Sequence, residues 1–153
     1  VGTVLGMVVG AVVGNVVNAS PCSDMAPALL CLDAQAVLRS KNGCRTVTFR
    51  DFFTGVKKTV LTQGEYLESI KIPIASAGST GRYFKLKRIA GHDLGIVGVL
   101  MTIKDGQRRF AVSSAAPTPI LVDNIAAKDS PEEIVAKVLG AVSPISDVRG
   151  TKE

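Results

Sequence analysis

The sequence has no tryptophan, one histidine and three cysteines, and these shortages exclude several kinds of site. A structural zinc site needs four ligands at a recognisable spacing, and an iron–sulfur cluster is usually held by four thiolates. The cysteines, Cys22, Cys31 and Cys44, are widely spaced and odd in number, so we expect neither a metal site nor a disulfide framework from this chain alone. Reduced cysteines in a cytoplasmic protein are the better interpretation.

Aromatic residues make up only 5% of the chain, and its basic residues are not clustered. The net charge of +5 permits an anionic ligand, but basic pairs such as Lys57-Lys58 and Arg108-Arg109 lie far apart and are not interleaved with stacking aromatic residues. We therefore expect no nucleic-acid partner. With 46% hydrophobic and 20% charged residues, the 153-residue chain has the composition of a globular domain whose core is built from Val, Ile, Leu and Ala.

The first 17 residues contain no charged residue and carry glycine at every fourth position, at Gly2, Gly6, Gly10 and Gly14. This G-x-x-x-G spacing is typical of a membrane helix, yet the segment only just reaches the length of about 17–25 residues that a spanning helix needs. Its eight valines favour strands over a helix in water. The glycines also suit a turn where the backbone closely approaches a ligand.

The remaining pattern predicts short helices and antiparallel hairpins, which is the α+β class and not alternating βαβ units. We expect helices at 24–33, with Asp24 as N-cap, and at 130–142, with Ser130 as N-cap, and strands at 34–40, 44–49, 66–73, 82–88, 96–103 and 110–116. Phe52 and Phe53 are expected in the core and His92 in a loop. The flexible stretch at 75–80 is expected to link one domain, 1–76, to a second, 82–153.

Six motifs follow one another along most of the chain: VGAVVGNVVNASPCSD (9–24), FFTGVKKTVL (52–61), LESIKIP (67–73), YFKLKR (83–88), APTPI (116–120) and SPISDVRG (143–150). In this order they resemble the flavin-binding subunit of the molybdenum hydroxylases. That family comprises the medium subunit of carbon monoxide dehydrogenases and the FAD domain of xanthine dehydrogenases. Family members also have an upstream flavin-binding half with an A-G-G-T loop, so the resemblance is to their C-terminal part.

The resemblance implies a fold and a function. The fold is the second half of a vanillyl-oxidase-like FAD-binding domain, an antiparallel sheet with helices, followed by a small, shortened α+β domain with a three-stranded antiparallel sheet. The cofactor is FAD, which passes electrons from [2Fe–2S] clusters to NAD or another acceptor. The clusters belong to a small partner subunit and molybdopterin to a large one, and a separate chain is a further candidate partner, as the source of the N-terminal FAD-domain half. We expect a cytoplasmic protein without a membrane span.

The resemblance also implies a set of cofactor-binding positions and no catalytic or metal-binding residue. The positions that match the family's flavin contacts are Gly10, Gly14, Asn15, Asn18, Ser20, Asp24, Leu67 and Lys87. In this interpretation Gly14-Asn15 belongs to a loop whose backbone N–H groups approach the cofactor, and Lys87 stabilises a reduced, anionic flavin. Asp24 as a helix cap and Leu67 as a core residue are the competing interpretations.

Two departures from the family motif support an alternative function. Ala11 stands where the family has Thr, and Val13 where it has Gly, and a β-branched residue does not readily adopt a positive φ. Together with the absent upstream half, they suggest a flavin-free structural remnant or a split half that acts as a docking module.

Overall fold

The chain folds into short helices and antiparallel strands in the computed structural model, which describes residues 2–91, 93–146 and 151. The helices are α1 (Gly2–Val17), α2 (Ala26–Cys31), α3 (Phe49–Phe52) and α4 (Pro131–Ala141). The strands are β1 (Gln35–Ser40), β2 (Gly43–Thr48), β3 (Phe53–Gly55), β4 (Lys58–Thr59), β5 (Tyr66–Lys71), β6 (Thr80–Leu86), β7 (Val97–Lys104), β8 (Gln107–Ser113) and β9 (Ile120–Ile125), and a 3-10 turn spans Ile74–Ser76. The predicted loop position of His92 and the end of the last motif, 147–150, lie outside the described residues.

Among the residues that the structure describes, the strands form two larger antiparallel sheets and one small hairpin. The first sheet has the order β2-β1-β5, the hairpin is β3-β4, and the second sheet has the order β6-β7-β8-β9. The predicted α+β class is therefore confirmed. The second sheet has four strands and not the expected three, because Ile120–Ile125 pairs with β8, with Val122 opposite Phe110. The APTPI motif leads into this strand, and its last residue, Ile120, lies opposite Val112 of β8. The strand thereby covers the edge that β8 would otherwise leave open.

The first hairpin follows the predicted alternation. Ala36 and Leu38 are fully buried on one face of β1, and Val37 lies on the other face at 5% exposure. The turn between β1 and β2 ends at Gly43, whose φ of +130° is a conformation that favours glycine. Leu38 lies opposite Leu67 of β5, so the same face of the sheet continues into the core.

The opening segment is a helix, so the preference for a strand and the prediction of a loop at Gly14-Asn15 are both wrong. Gly10 and Gly14 lie within α1, and a Cβ added at either would meet nothing within 4 Å. The helix ends where Asn18 N–H bonds to the Gly14 carbonyl (3.1 Å) and Ala19 adopts a φ of +45°. Val16 is fully buried, and this packing outweighs the weak helix propensity of valine. In the described part of the chain, no helix is long and apolar enough to cross a membrane.

The predicted cap of α4 is confirmed, but the predicted cap of α2 is wrong. Ser130 Oγ accepts the Glu133 N–H (3.2 Å) while the Glu133 carboxylate accepts the Ser130 N–H (2.8 Å), which is a capping box. At α2, Met25 occupies the cap position, and the hydroxyl of Ser23 accepts the Ala26 N–H (3.2 Å). Asp24 does not cap because its carboxylate is bound to residues of β6, as described below.

One apolar core joins the first half of the chain to the second sheet. Phe49, Phe52 and Phe53 pack together with ring centroids 5.1–6.0 Å apart, which confirms the predicted burial of the latter two. The cluster continues through α2 to Ala111 on β8, which is fully buried. Helix α2 packs on β7, β8 and β9 of the second sheet, and α3 links it to β1 and β2 of the first.

Polar contacts at the end of α2 reinforce this packing. Arg109 of β8 donates to the Cys31 carbonyl (3.0 Å) and to the Asp33 carboxylate. Arg50 donates to Asp33 (3.1 Å) and to Asp123 (2.7 Å). Partial burial of Asp33 raises its pKa, but the hydrogen bonds from Arg109 and Arg50 outweigh that effect and hold the pKa below its ordinary value.

The lowered pKa of Asp33 predicts an acid-sensitive contribution to stability. The contribution is fully present above about pH 4, the ordinary pKa of Asp, and is lost as the pH falls through the lower folded-state value. Because 39% of the Asp33 side chain is exposed, solvent screening limits the loss in Asp33→Asn at pH 7 to about 1 kcal/mol. Urea unfolding from pH 7 to pH 2.5 should show a shallower acid decline for this variant. Asp105→Asn, in the β7–β8 turn, is the control, and an equal slope in both variants would contradict the assignment.

Removing the Ser23 hydroxyl should destabilise the protein, because this buried group makes two hydrogen bonds inside the fold. Ser23 is 1% exposed, and its hydroxyl donates to Asn15 Oδ1 (2.6 Å) while accepting the Ala26 N–H. Ser23→Ala leaves both groups without this partner, so we expect a loss of about 1–3 kcal/mol in the free energy of unfolding. Ser69→Ala, at an exposed position of β5, should change it by less than about 0.5 kcal/mol. Chemical denaturation of both variants measures the difference, and equal midpoints would show that the buried hydroxyl is dispensable.

Candidate functional site

The loop between α1 and α2 faces strand β6 across an open cleft of about 530 Å³. Asn15, Cys22 and Asp24 line it from the side of the loop, and Lys85 and Lys87 line it from β6 and the residue that follows. Alternate residues of a strand point to the same face, which is why Tyr83, Lys85 and Lys87 project towards one side. The cleft therefore combines carboxylate, amide, thiol and ammonium groups.

Asp24 is bonded directly to the opposite wall of the cleft. Its Oδ1 accepts a hydrogen bond from the Tyr83 hydroxyl (2.8 Å), and its Oδ2 accepts one from Lys85 Nζ (2.8 Å). The side chain of Lys85 is 22% exposed and that of Asp24 is 48% exposed, so the pair lies at the wall of the cleft and not beneath it. The carboxylate thereby has a fixed orientation but remains accessible from the cleft.

Asn15 is held in place by the buried hydroxyl of Ser23. Asn15 is the third residue from the end of α1, and its side-chain oxygen accepts the hydrogen bond from Ser23 Oγ at 2.6 Å. Ser23 also accepts the first free N–H of α2, as described above. The two helices on either side of the loop are therefore joined by one hydroxyl, and this contact sets the position of the Asn15 amide at the cleft.

The far side of the cleft is shaped by the segment after β6. Lys87 Nζ donates to the Gly91 carbonyl (2.7 Å), and Asp93 accepts the Leu94 N–H (2.8 Å). Hydrogen bonds from Arg88 hold the pKa of Asp93 below its ordinary value, so this carboxylate is charged at neutral pH. The cleft consequently carries two cationic and two anionic side chains, an arrangement that suits a ligand with both donor and acceptor groups.

The structure brings together three of the eight predicted site residues, Asn15, Asp24 and Lys87. The others lie elsewhere. Gly10 is a helical residue one turn before Gly14, and Asn18 is an exposed residue just after α1. Ser20 Oγ accepts the Cys22 N–H (3.3 Å) within the loop, and Leu67 is 5% exposed in the core. The observed position of Leu67 agrees with its interpretation as a core residue.

Sequence reasoning missed Ser23, Tyr83 and Lys85. Lys85 and Tyr83 were inside a recognised motif, and the period of two along β6 predicts that both lie on the same face as Lys87. The partner on the opposite wall is 61 residues away from Lys85, and no local pattern indicates that pairing. Ser23 resembled an ordinary loop serine because its burial depends on how α1 and α2 pack.

Comparisons with known proteins agree with the motifs. Residues 8–75 match the FAD binding domain in molybdopterin dehydrogenase. The carbon monoxide dehydrogenase medium chain of Afipia carboxidovorans is 31% identical over 94% of this chain and 54% of its own length. A xanthine dehydrogenase/oxidase of Gallus gallus is 34% identical over 70% of this chain and 8% of its own length. Among solved structures, reconstituted CO dehydrogenase from Oligotropha carboxidovorans aligns with a TM-score of 0.79 at 31% identity, covering 92% of this chain and 54% of that chain.

These similarities confirm the resemblance seen in the sequence motifs and the fold that it implied. They extend across both sheets, because nearly the whole chain aligns with the first of these relatives. The chain spans about half the length of that carbon monoxide dehydrogenase medium chain. On the strength of the matched domain and of these relatives, the chain belongs to the family of FAD-binding subunits and domains of the molybdenum hydroxylases.

Proposed function

We propose that the chain is part of a flavoprotein subunit and that the cleft between the α1–α2 loop and β6 contributes to its FAD site. The observation that carries this proposal is the Asp24 carboxylate, fixed by Tyr83 and Lys85 at the wall of a cleft that Asn15 and Lys87 also line. Asp24 lies within the residues that match the FAD-binding family. The cleft thus brings residues of the matched FAD-binding domain together with polar side chains of β6, which supports the proposal.

The chemistry of the cleft fits FAD. The flavin ring has N–H and carbonyl groups along its edge, and the ribityl chain carries hydroxyls, so the cofactor needs both hydrogen-bond acceptors and donors. Asp24 supplies acceptor oxygens, and Lys85, Lys87 and the Asn15 amide supply donors. The other positions that match the family's flavin contacts, Gly10, Gly14, Asn18, Ser20 and Leu67, do not line this cleft, and we propose them only as contacts to other parts of the cofactor.

Bound FAD would supply one- and two-electron transfer, while this chain would bind and orient it. A lysine ammonium close to the ring favours the anionic reduced form through its positive charge. Lys85 is ion-paired with Asp24, whose negative charge offsets its own, so it acts mainly as an oriented hydrogen-bond donor. We therefore assign this role to Lys87, whose ammonium is bonded to the neutral Gly91 carbonyl.

The subunit would work in a larger assembly. We propose that it accepts electrons from [2Fe–2S] clusters in a small partner subunit and passes them to NAD or another acceptor, while a molybdopterin subunit oxidises the substrate. In support, one relative is a medium chain of about twice the matched length. The remaining half of the FAD domain would come from the rest of the protein or from a separate chain. We also propose that residues 1–76 and 82–153 form two domains linked by the stretch at 75–80. We propose a cytoplasmic location for the protein.

Replacing Lys85 tests the cleft as the FAD site. In the native complex, stripped of flavin and titrated with FAD, Lys85→Gln should weaken FAD binding about tenfold, because a charged hydrogen-bond donor is lost from the wall of the cleft. The FAD-dependent rise in melting temperature measures it, since a ligand that binds only the native state raises stability. Lys41→Gln, in the β1–β2 turn, is the matched control.

The outcomes separate the two functions considered for this chain. If the Lys85→Gln and Lys41→Gln variants had equal affinity for FAD, the cofactor would bind away from this cleft. No FAD binding by the native complex itself would overturn the proposed function and favour the flavin-free docking module.

A further inference from the structure

The hydroxyl of Tyr83 occupies a space that exists only because residue 98 is glycine. Gly98 of β7 lies opposite Lys85 on β6 and opposite Ser113 on β8. A Cβ at position 98 would lie 2.3 Å from Tyr83 Oη and 2.6 Å from Ser113 Oγ, distances that real Cβ atoms essentially never show. The hydroxyls of Tyr83 and Ser113 therefore fill the volume that the Cβ of any other residue would occupy. The tyrosine hydroxyl lies beside β7 at this point and donates to Asp24.

The hydroxyl of Tyr83 is a fixed donor. Partial burial raises the pKa of Tyr83 to about 12, and the hydrogen bond to the Asp24 carboxylate acts in the same direction, so the phenol keeps its proton at any physiological pH. Ser113 is 2% exposed and its hydroxyl lies 3.5 Å from the Gly98 carbonyl oxygen, which places a buried polar group beside the phenol. The phenol proton is thus committed to Asp24 Oδ1, at 2.8 Å.

We propose that Tyr83 is a positioning residue for FAD and acts through Asp24, an inference that rests on the proposed function. A carboxylate offers about four lone-pair positions on its two oxygens. Tyr83 occupies one on Oδ1 and Lys85 occupies one on Oδ2, so the group cannot rotate without breaking a bond. The remaining lone pairs point away from these donors and are available to a hydroxyl or N–H group of a ligand in the cleft.

The proposal assigns separate tasks to the two donors. Lys85 brings positive charge to the cleft, whereas Tyr83 brings none and fixes only the orientation of the carboxylate. Gly98 makes the arrangement possible, because a methyl group there would displace the phenol. Loss of the Tyr83 hydroxyl should consequently reduce FAD affinity only while Asp24 is present, which a general loss of stability would not do.

A double-mutant cycle on the native complex tests this dependence. Tyr83→Phe, Asp24→Ala and the double variant are compared with the wild type for FAD affinity, for the visible absorption spectrum of the bound flavin and for the melting temperature of the flavin-free complex. Tyr66→Phe is the matched control, because Tyr66 is also a strand tyrosine but lies 54% exposed on β5, away from the cleft. The cycle isolates the coupling between the two side chains.

We expect Tyr83→Phe to weaken FAD binding about tenfold in the wild-type background and less than about twofold in the Asp24→Ala background, with a shifted flavin spectrum in the first case only. Tyr66→Phe should match the wild type. Equal losses in both backgrounds, or Tyr83→Phe behaving like Tyr66→Phe while FAD still binds, would overturn the positioning role alone. A wild-type complex that binds no FAD would overturn the proposed function instead. Gly98→Ala, which displaces the phenol and leaves its hydroxyl intact, should reproduce the loss seen in Tyr83→Phe.

Discussion

The attachment of α2 to the four-stranded sheet is the interaction on which the rest of the structure depends. A carboxylate lies on each side of this six-residue helix, Asp24 before it and Asp33 after it. Asp24 binds Lys85 of β6, and Asp33 binds Arg109 of β8, so each end of the helix is tied to the second sheet by an ion pair. The apolar side chains between them supply most of the stabilisation, since exposed ion pairs contribute about 1 kcal/mol or less.

This attachment also explains why the candidate site lies where it does. The α1–α2 loop cannot be docked on β6 without placing Asp24 beside Tyr83 and Lys85, so the fold and the cleft form together. The buried hydroxyl of Ser23 then fixes the end of α1 against the start of α2. A cofactor bound in the cleft would contact both halves of the chain and would stabilise their packing.

The parts of the fold with local signals could be predicted from sequence. The alternation in β1, the glycine at its turn and the capping box of α4 each depend on neighbours within a few residues, and all were confirmed. The opening segment was misassigned because its valines favour strands locally, whereas the burial of Val16 against the core decides for a helix. The local pattern predicts Asp24 as the cap of α2, but its carboxylate instead accepts hydrogen bonds from Tyr83 and Lys85 of β6, about 60 residues further along the chain. The spacing of residues near Asp24 does not indicate these distant donors.

The most direct test of the account is the structure of the native complex with FAD bound. The account predicts that an oxygen of Asp24 and the ammonium of Lys85 lie within hydrogen-bonding distance, about 3.5 Å, of the cofactor, with Tyr83 still bonded to the opposite side of the carboxylate. A cofactor bound outside the cleft between the α1–α2 loop and β6, with Asp24 and Lys85 bonded only to each other, would contradict it.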